Sequence, residues 1–483
     1  MRIAFAFAVA LLAGCSLQPT YEQPEAPVAG SFPTGPAYKD AAGNTKLPAA
    51  EIGWKDFLKD ARLQRIVELA LANNRDLRVA ALNIAQFEAQ YRITRSAIFP
   101  QVSADARSSA QRAPAIAGGG ANIITHEYSA GLSASWTLDF FGRLRSLNDQ
   151  ALQQYFATAQ AGKATYILLV SQVADQYLTM LAADELLAVT RHTLDTAQQS
   201  YELALAQFQG GTGTELSVNQ AQTVVEQAKA NYAAQVRSRA QAENFLVLLV
   251  GQPLPADLPP GQPFNSQAFL ADIPEGLPSD LLTRRPDIME AEANLRAAYA
   301  NIGAARAAFF PDISLTATLG TASTALSGLF GAGSAAWSFV PSITQPIFTG
   351  GALTANLDLA ELQRDSFVAR YEKAIQAAFR EVADGLAARG TYDEQIAALE
   401  RYVIAAQSFL ELSELRFKTG VDSYLNVLTA QTNLYTAEQV LVSTRLARLT
   451  SLVDLYQSLG GGWIAQTGDA SRPAEDLSPR KAK

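Results

Sequence analysis

The chain has 483 residues, enough for two or more ordinary domains, and its 38 basic and 46 acidic residues give a net charge of −8. That balance argues against a nucleic-acid partner. A single cysteine excludes an intrachain disulfide, and two histidines, His126 and His192, leave little for a metal site; no HExxH, GxSxG, P-loop or GxGxxG pattern occurs, so no metal, cofactor or enzymatic activity is expected.

At the N-terminus, Arg2 precedes an apolar run from Ile3 to Leu12. The run is too short to span a bilayer and has the layout of a secretory signal over residues 1–14. Leu12, Ala13, Gly14 and Cys15 resemble a bacterial lipobox, in which the cysteine becomes the first mature residue and carries lipid. Cys15 is therefore the expected lipidation site. Ser16 follows it, not the Asp that often retains such lipoproteins at the inner membrane. Residues 15–53, rich in Pro and Gly, are expected to form a lipidated linker.

Residues 54–262 form the first of two similar halves. A helical tract from Trp54 leads to Phe99–Pro100. Two stretches of strict alternation follow, read as strands at about 101–110 and 127–139: Val102, Ala104 and Ala106 alternate with Ser103, Asp105 and Arg107, and Tyr128 to Leu138 alternate with Ser129 to Asp139. A period of two gives one apolar face and one small polar face. A soluble hairpin has this pattern, but the Gly-rich loop at 112–125 and aromatic residues near the strand ends also suit an outer-membrane barrel. Residues 142–250 are read as a long helical hairpin. Its first arm contains no proline and at ~1.5 Å per residue runs about 100 Å. It breaks at Gly210–Gly211, and Thr212 followed by Glu215 reads as a capping box for the return helix.

The second half, 263–463, repeats the plan. Asp76 and Phe99–Pro100 recur as Asp287 and Phe310–Pro311, 211 residues later, and Phe208–Gln222 recurs as Phe417–Gln431 at an offset of 209. Strands are expected at about 312–320 and 337–347, and a hairpin at 351–459 that turns at Gly420. The return helix carries an apolar stripe spaced 3,4,3,4 from Leu425 to Tyr456, and a second stripe at Val427, Leu434, Leu441 and Leu455, interrupted at Arg448. One stripe makes a coiled-coil seam; two let a helix pack on both neighbours, as in a tube of helices. Gly460–Gly462 ends the helix and residues 464–483 are a tail. Four strands cannot close a barrel, and open edges are not tolerated in a membrane. Membrane strands would thus require oligomerisation: two chains give eight strands and a filled interior, three give twelve and room for a channel.

The tracts GCSLQPTYEQP, WKDF with LALANNRDL, the AIFP/AFFP pair, PIFTGG (Pro346–Gly351), Arg416–Gln431 and LGGGW (Leu459–Trp463) together resemble the TolC/OprM outer-membrane factor family over nearly the whole mature chain. The resemblance implies a mainly α fold with a β-barrel part. Three copies would form a twelve-stranded outer-membrane β-barrel continuous with a periplasmic α-barrel of long antiparallel hairpins. It implies a homotrimer, anchored in the outer membrane by lipid, that works with a periplasmic adaptor (membrane fusion) protein and an inner-membrane RND-type proton-driven pump to conduct drugs or other small amphipathic compounds passively. A polypeptide-secretion duct shares the fold, and a non-conducting trimeric stalk or adhesin is the reading of another class.

By the same resemblance, the periplasmic end lies at the two Gly-bearing turns. Gly210, Gly211, Thr212, Thr419, Gly420 and Val421 are the expected adaptor-docking tip. Relatives often close this end with an acidic residue just after the Val-Leu pair and a basic one three later. Here Thr429 and Thr432 stand there, with Asn426 nearby, and the familiar carboxylate ring is missing. Asp422 either supplies a ring one turn away or caps the helix. Phe417 and Leu425 are the expected apolar constriction.

Overall fold

A computed structural model describes residues 17–38, 47–113, 123–264, 270, 273 and 278–477; Cys15 and the signal lie outside them. Among the described residues the helices are α1 (Trp54–Phe57), α2 (Ala61–Asn73), α3 (Arg75–Ser96), α4 (Arg143–Gln209), α5 (Glu215–Val250), α6 (Pro278–Arg284), α7 (Pro286–Ala307), α8 (Ala352–Lys418) and α9 (Tyr424–Ser458). The strands are β1 (Gln101–Ala113), β2 (Ile123–Leu138), β3 (Asp312–Ser323) and β4 (Ala335–Thr344). Each half therefore runs helix, two strands, long helix, return helix. Both long helices have 67 residues, and the returns have 36 and 35. The chain divides into two compact units, one of residues 1–25, 83–158 and 290–372, the other of the remainder.

The first unit holds the sheet, an antiparallel meander in the order β1-β2-β3-β4. Cross-strand partners share a face, so the register sorts the side chains. Ser103, Ser133, Thr318 and Ser338 make one continuous row of hydroxyls across all four strands. The next row, on the opposite face, is Ala104, Leu132, Leu319 and Trp337. The polar face is bonded within each outer strand pair: Ser103 with Ser133 at 2.7 Å, Ser133 to the Asp105 carboxylate at 2.5 Å, and Thr318 with Ser338 at 2.6 Å. The apolar face is largely open among the described residues; Trp337 is 77 % exposed. Strands of 10 to 16 residues are long enough to cross a bilayer on a tilt. Gly131 and Gly320 face each other across β2 and β3, where a Cβ on Gly320 would lie 2.3 Å from the Ala130 carbonyl oxygen.

The strands differ at their ends from the alternation that announced them. β1 and β3 continue to Ala113 and Ser323, because the backbone ladder persists where the side-chain pattern lapses. β4 stops at Thr344: Pro346 cannot donate to a ladder, and Ile347 and Phe348 stand beyond the strand, about nine-tenths exposed. At the sheet's base, Trp136 donates to the Ile98 carbonyl (2.9 Å), Phe141 stacks on Phe310 at 4.7 Å, and Arg143 pairs with Asp312 at 3.1 Å.

The second unit contains the packed core and both hairpin turns. α2 buries Leu63, Ile66, Val67 and Ala70, one face at helical spacing. Its N-cap, Asp60, is fully buried and accepts from Leu63 N–H (2.9 Å) and from Gln262 N–H (2.7 Å) across 202 residues. One device closes each repeat. Asn74 donates its side-chain amide to the Leu249 carbonyl at the end of α5 (2.8 Å). Its counterpart 211 residues on, Arg285, donates to the Ser458 carbonyl at the end of α9 (3.1 Å) while pairing with Asp287 and Glu381.

The segments at 21–23 and 464–467 both pack against the fold. In the first unit Tyr21 donates to Glu292 (3.1 Å) and meets Tyr299 edge-on, and Gln23 donates to Tyr371 (2.8 Å). In the second, Trp54 N–H and Lys55 N–H donate to the Ile464 and Ala465 carbonyls, and Thr467 N–H to Asp56. A boundary at 463/464 thus cuts through a packed structure.

Replacing Asp60 with Ala removes a cap and takes the Asp60 acceptor from the half-buried Gln262 N–H. Together these cost about 2–4 kcal/mol. Loss of the helical circular-dichroism signal of Asp60→Ala is expected several degrees below that of the parent; an unchanged midpoint would contradict this role.

Candidate functional site

The two hairpin turns share one backbone design. After α4, Gly211 takes φ +76°, Gly211 N–H donates to the Phe208 carbonyl, and Thr212 N–H to that of Gln207 (2.9 Å). After α8, Gly420 takes φ +74°, Gly420 N–H donates to the Phe417 carbonyl, and Val421 N–H to that of Arg416 (2.9 Å). A left-handed residue that lets the chain bond back onto the last turn is how such helices stop, and glycine bears no steric penalty there.

The start of α5 corrects the capping assignment. Thr212 hydroxyl donates back to the Gln207 carbonyl (3.1 Å), while Thr214 is the N-cap and accepts from Ser217 N–H. The left-handed Gly211 and the bonds from Thr212 and Gly213 to Gln207 consume the residues that the earlier start required.

Asp422 is neither a helix cap nor a free carboxylate. The N-cap of α9 is Ser423, and both Asp422 oxygens take hydrogen bonds from the Arg416 guanidinium, at 2.6 and 3.2 Å. The Arg416 hydrogen bond holds the Asp422 carboxyl below its ordinary pKa. The counterparts of this pair in the first turn are Gly213 and Gln207, so only the second turn carries the bridge.

Phe417 leaves the constriction set. It is buried inside the chain, edge-on to Tyr424 at 5.3 Å, in a core drawn from both hairpins that includes Ala204, Val218, Ala221, Val427 and Leu434. Leu425 is exposed, as are Asn426, Thr429 and Thr432. The Thr429 and Thr432 hydroxyls donate to the Leu425 and Leu428 carbonyls of their own helix, each at 2.9 Å, so their protons are already used. Gly210, Gly211, Thr212, Thr419, Gly420 and Val421 all stand exposed at the turns.

A buried polar seam was not foreseen. Gln431 donates to Ser200 at 2.9 Å across the hairpins, and among the described residues the Gln431 Oε1 and the Tyr424 hydroxyl have no hydrogen-bond partner. Burial pushes the Tyr424 hydroxyl up to about 12. The signal lay in the 3,4,3 spacing of Tyr424, Val427, Gln431 and Leu434, which puts a polar side chain in an apolar seam.

A β-meander with one unsheltered apolar face, one hydroxyl-lined face and two open edges, carried by a chain of paired 67-residue helices, defines a protomer of an outer-membrane channel. The family profile described as outer membrane efflux protein matches residues 66–252 and 277–461. The chain is 49 % identical over 473 residues to the probable efflux pump outer membrane protein TtgC of Pseudomonas putida, covering 97 % of each chain. It is 44 % identical to the outer membrane protein OprJ of Pseudomonas aeruginosa, covering 94 % of each. Among solved structures, the open state of the Neisseria gonorrhoeae MtrE outer membrane channel superposes with a TM-score of 0.83 at 40 % identity, over 94 % of this chain and all of that one. The chain belongs to the outer membrane efflux protein family. Its fold is that of the TolC-like channels, and it is an efflux channel component of the outer membrane.

Because Asp422 is held below its ordinary pKa, the bridge to Arg416 is fully present above the unfolded value near 4 and is lost only as pH falls through the lowered one. Between pH 6 and 8.5 the second turn should therefore stay closed to protease. Asp422→Asn should speed tryptic cleavage after Arg416 and Lys418 several-fold at neutral pH. Equal cleavage rates in variant and parent would show that the bridge does not hold the turn.

Proposed function

We propose that three copies of this chain close a twelve-stranded barrel in the outer membrane and continue it as a periplasmic helical tube, the passive exit duct of a tripartite efflux system. The observation that carries this is the sheet. Its apolar rows suit lipid, its hydroxyl rows suit water, and β1 and β4 each leave an edge unpaired within the chain. Three copies satisfy every edge and leave a lumen; two would leave an interior filled by side chains. The partners in this reading are a periplasmic adaptor docking at the turns around Gly211 and Gly420 and an inner-membrane proton-driven pump of the RND type. The protein performs no catalysis.

The cargo is small and amphipathic. Relatives are named for toluene, antibiotic and solvent efflux, at 49, 49 and 47 % identity, and the wide sequence match supports a similar range here.

Lipid at Cys15 fits the first unit. Gln18 lies so close to Gly303 that a Cβ there would be 2.9 Å from the Gln18 Cα and 2.7 Å from the Ser146 hydroxyl. Ser146 is eight residues past the end of β2. Three residues of chain reach at most about 11 Å, so an acyl chain on Cys15 can enter the membrane beside the strands. Cys15→Ser should abolish labelling by a radioactive fatty acid and leave barrel insertion intact. Labelling that survives the change would refute the assignment.

At the closed tip, Leu425 and the methyl groups of Thr429 and Thr432 face the axis, and Asp422 stays with Arg416. Native mass spectrometry in detergent should give three chains, and deletion should sensitise cells to drugs and solvents while sparing secreted proteins. In planar bilayers, the closed channel should conduct weakly and respond little to divalent cations on the periplasmic side. A strong block relieved by Asp422→Asn would place the carboxylate on the axis instead.

A further inference from the structure

The lipid-facing side of the sheet changes character toward its loop end. The register puts the even-numbered residues of β1 and β2 on that side, together with the odd-numbered ones of β3 and β4. Asp105, Arg107, Glu127 and Asp312 all fall on the hydroxyl side. Among the described strand residues, Arg112 is the one formally charged side chain on the lipid side, and His126 is beside it. Arg112 faces Ile124 and Ala110 faces His126, so Arg112 and His126 are diagonal neighbours about 7–8 Å apart. Both are exposed, and among the described residues no carboxylate bonds to either.

Their height decides what they meet. From Leu138 to Tyr128, β2 covers about 33 Å, or about 25 Å along the membrane normal at a tilt near 40°, the usual height of a lipid-facing apolar band. Leu138, Trp136 and Leu132 lie within that band, and Tyr128 tops it as girdle aromatics do. His126 and Arg112 stand about 5 and about 10 Å beyond its edge, in the headgroup layer. This end points away from the helices, because α3, α4, α7 and α8 all attach at the other end of the strands. At that other end the lipid side carries Leu138, Ile313 and Ile343. No acid competes for Arg112 from the loops: residues 113–122 and 324–334 include no charged residue.

We propose that Arg112 and His126 hold a phosphate of a phosphorylated glycolipid in the outer leaflet, whose acyl chains lie against the apolar rows below. This rests on the barrel reading above, in which the helices extend into the periplasm and the strand loops face out. A guanidinium meets phosphate oxygens two at a time, and an imidazole N–H adds a further donor across a gap that one phosphate spans. A cation facing hydrocarbon is costly at the midplane and nearly free at the interface, so the height of Arg112 admits it and its charge selects an anionic headgroup. When copies join edge to edge, the 324–334 loop of the next one comes alongside β1 and brings no carboxylate. The site is remote from both hairpin turns and independent of the gate.

The full chain in detergent is titrated with diphosphorylated lipid A and with the same glycolipid stripped of its phosphates, and bound lipid is read by native mass spectrometry. The parent should retain the phosphorylated form about fivefold more tightly. Arg112→Gln should remove most of that preference and Arg112→Lys should keep part of it, while Arg107→Gln, on the hydroxyl side, should leave it unchanged. Equal retention of the two lipids by the parent, or an undiminished preference in Arg112→Gln, overturns the proposal. Insertion of the parent into phosphatidylcholine vesicles, scored by resistance to alkaline carbonate, tests the barrel separately. A chain that inserts but shows no phosphate preference sinks the lipid site alone; a chain that does not insert sinks the barrel reading and the site with it. Should Arg112→Gln misfold, labelling of the parent with phenylglyoxal gives the same decision. Diphosphorylated lipid A should slow modification of Arg112 relative to the stripped lipid and leave Arg107 unchanged; equal rates at Arg112 overturn it.

Discussion

The unpaired edges of the four-stranded sheet are the constraint on which the rest of the molecule depends. In water, an open edge is a hazard of aggregation; in lipid, each unbonded backbone group costs several kcal/mol. β1 and β4 cannot reach each other within one chain, because the meander places them at opposite ends of the sheet. The sheet's apolar rows deepen the demand: Val102, Leu319, Trp337 and Ile343 are each more than two-thirds exposed. Lipid on one face, water on the other and further copies at both edges are the one environment that answers all of these at once.

The helical part answers a different problem, how to hold hairpins of such length in register. Each repeat uses its own first half to pin its own last turn. Asn74 and Arg285 occupy equivalent positions and bond equivalent carbonyls, Leu249 and Ser458, with different chemistry. The amide needs only to meet one orphan carbonyl at a helix end. The guanidinium brings a charge into the core and so needs Asp287 and Glu381 beside it. Duplication preserved the geometry of the clasp while its residue drifted, which explains why Asp76 and Asp287 align in sequence while the neighbouring clasp does not.

Much of this architecture was legible because periodicity reports burial. Strict alternation at Val102–Arg107 and Ile313–Gly320 located strands, and proline-free tracts between glycines located the helices. Side-chain partners were not legible in the same way. Asp422 lies six residues from Arg416 across a turn, outside the three- and four-residue spacings that helical patterns expose. The resemblance made Phe417 a candidate for the constriction, but Tyr424 and the first hairpin close over it. The packing of residues 464–477 on Trp54 and Asp56 joins segments some 410 residues apart, and composition there resembles any loop.

The hairpin seam joins these points to gating. Two hairpins packed through Val218, Ala221, Val427 and Leu434 alone would hold by dispersion and burial with nothing left unpaired. Instead Gln431 spends one amide proton on Ser200 and, among the described residues, leaves its carbonyl unbonded. Each such group costs about 1–3 kcal/mol against a matched arrangement. The seam between the two hairpins is thus held less tightly than its apolar contacts alone would hold it. The exposed Thr429 and Thr432 add no cross-axis hydrogen bonds of their own, since their donors serve the helix. The apolar core shared with the first hairpin holds the second in place, and the Arg416–Asp422 bridge adds stiffness within its own turn. The second turn is thus stiffened from within, while the seam that joins it to the first hairpin carries an unmatched polar atom in an otherwise apolar contact.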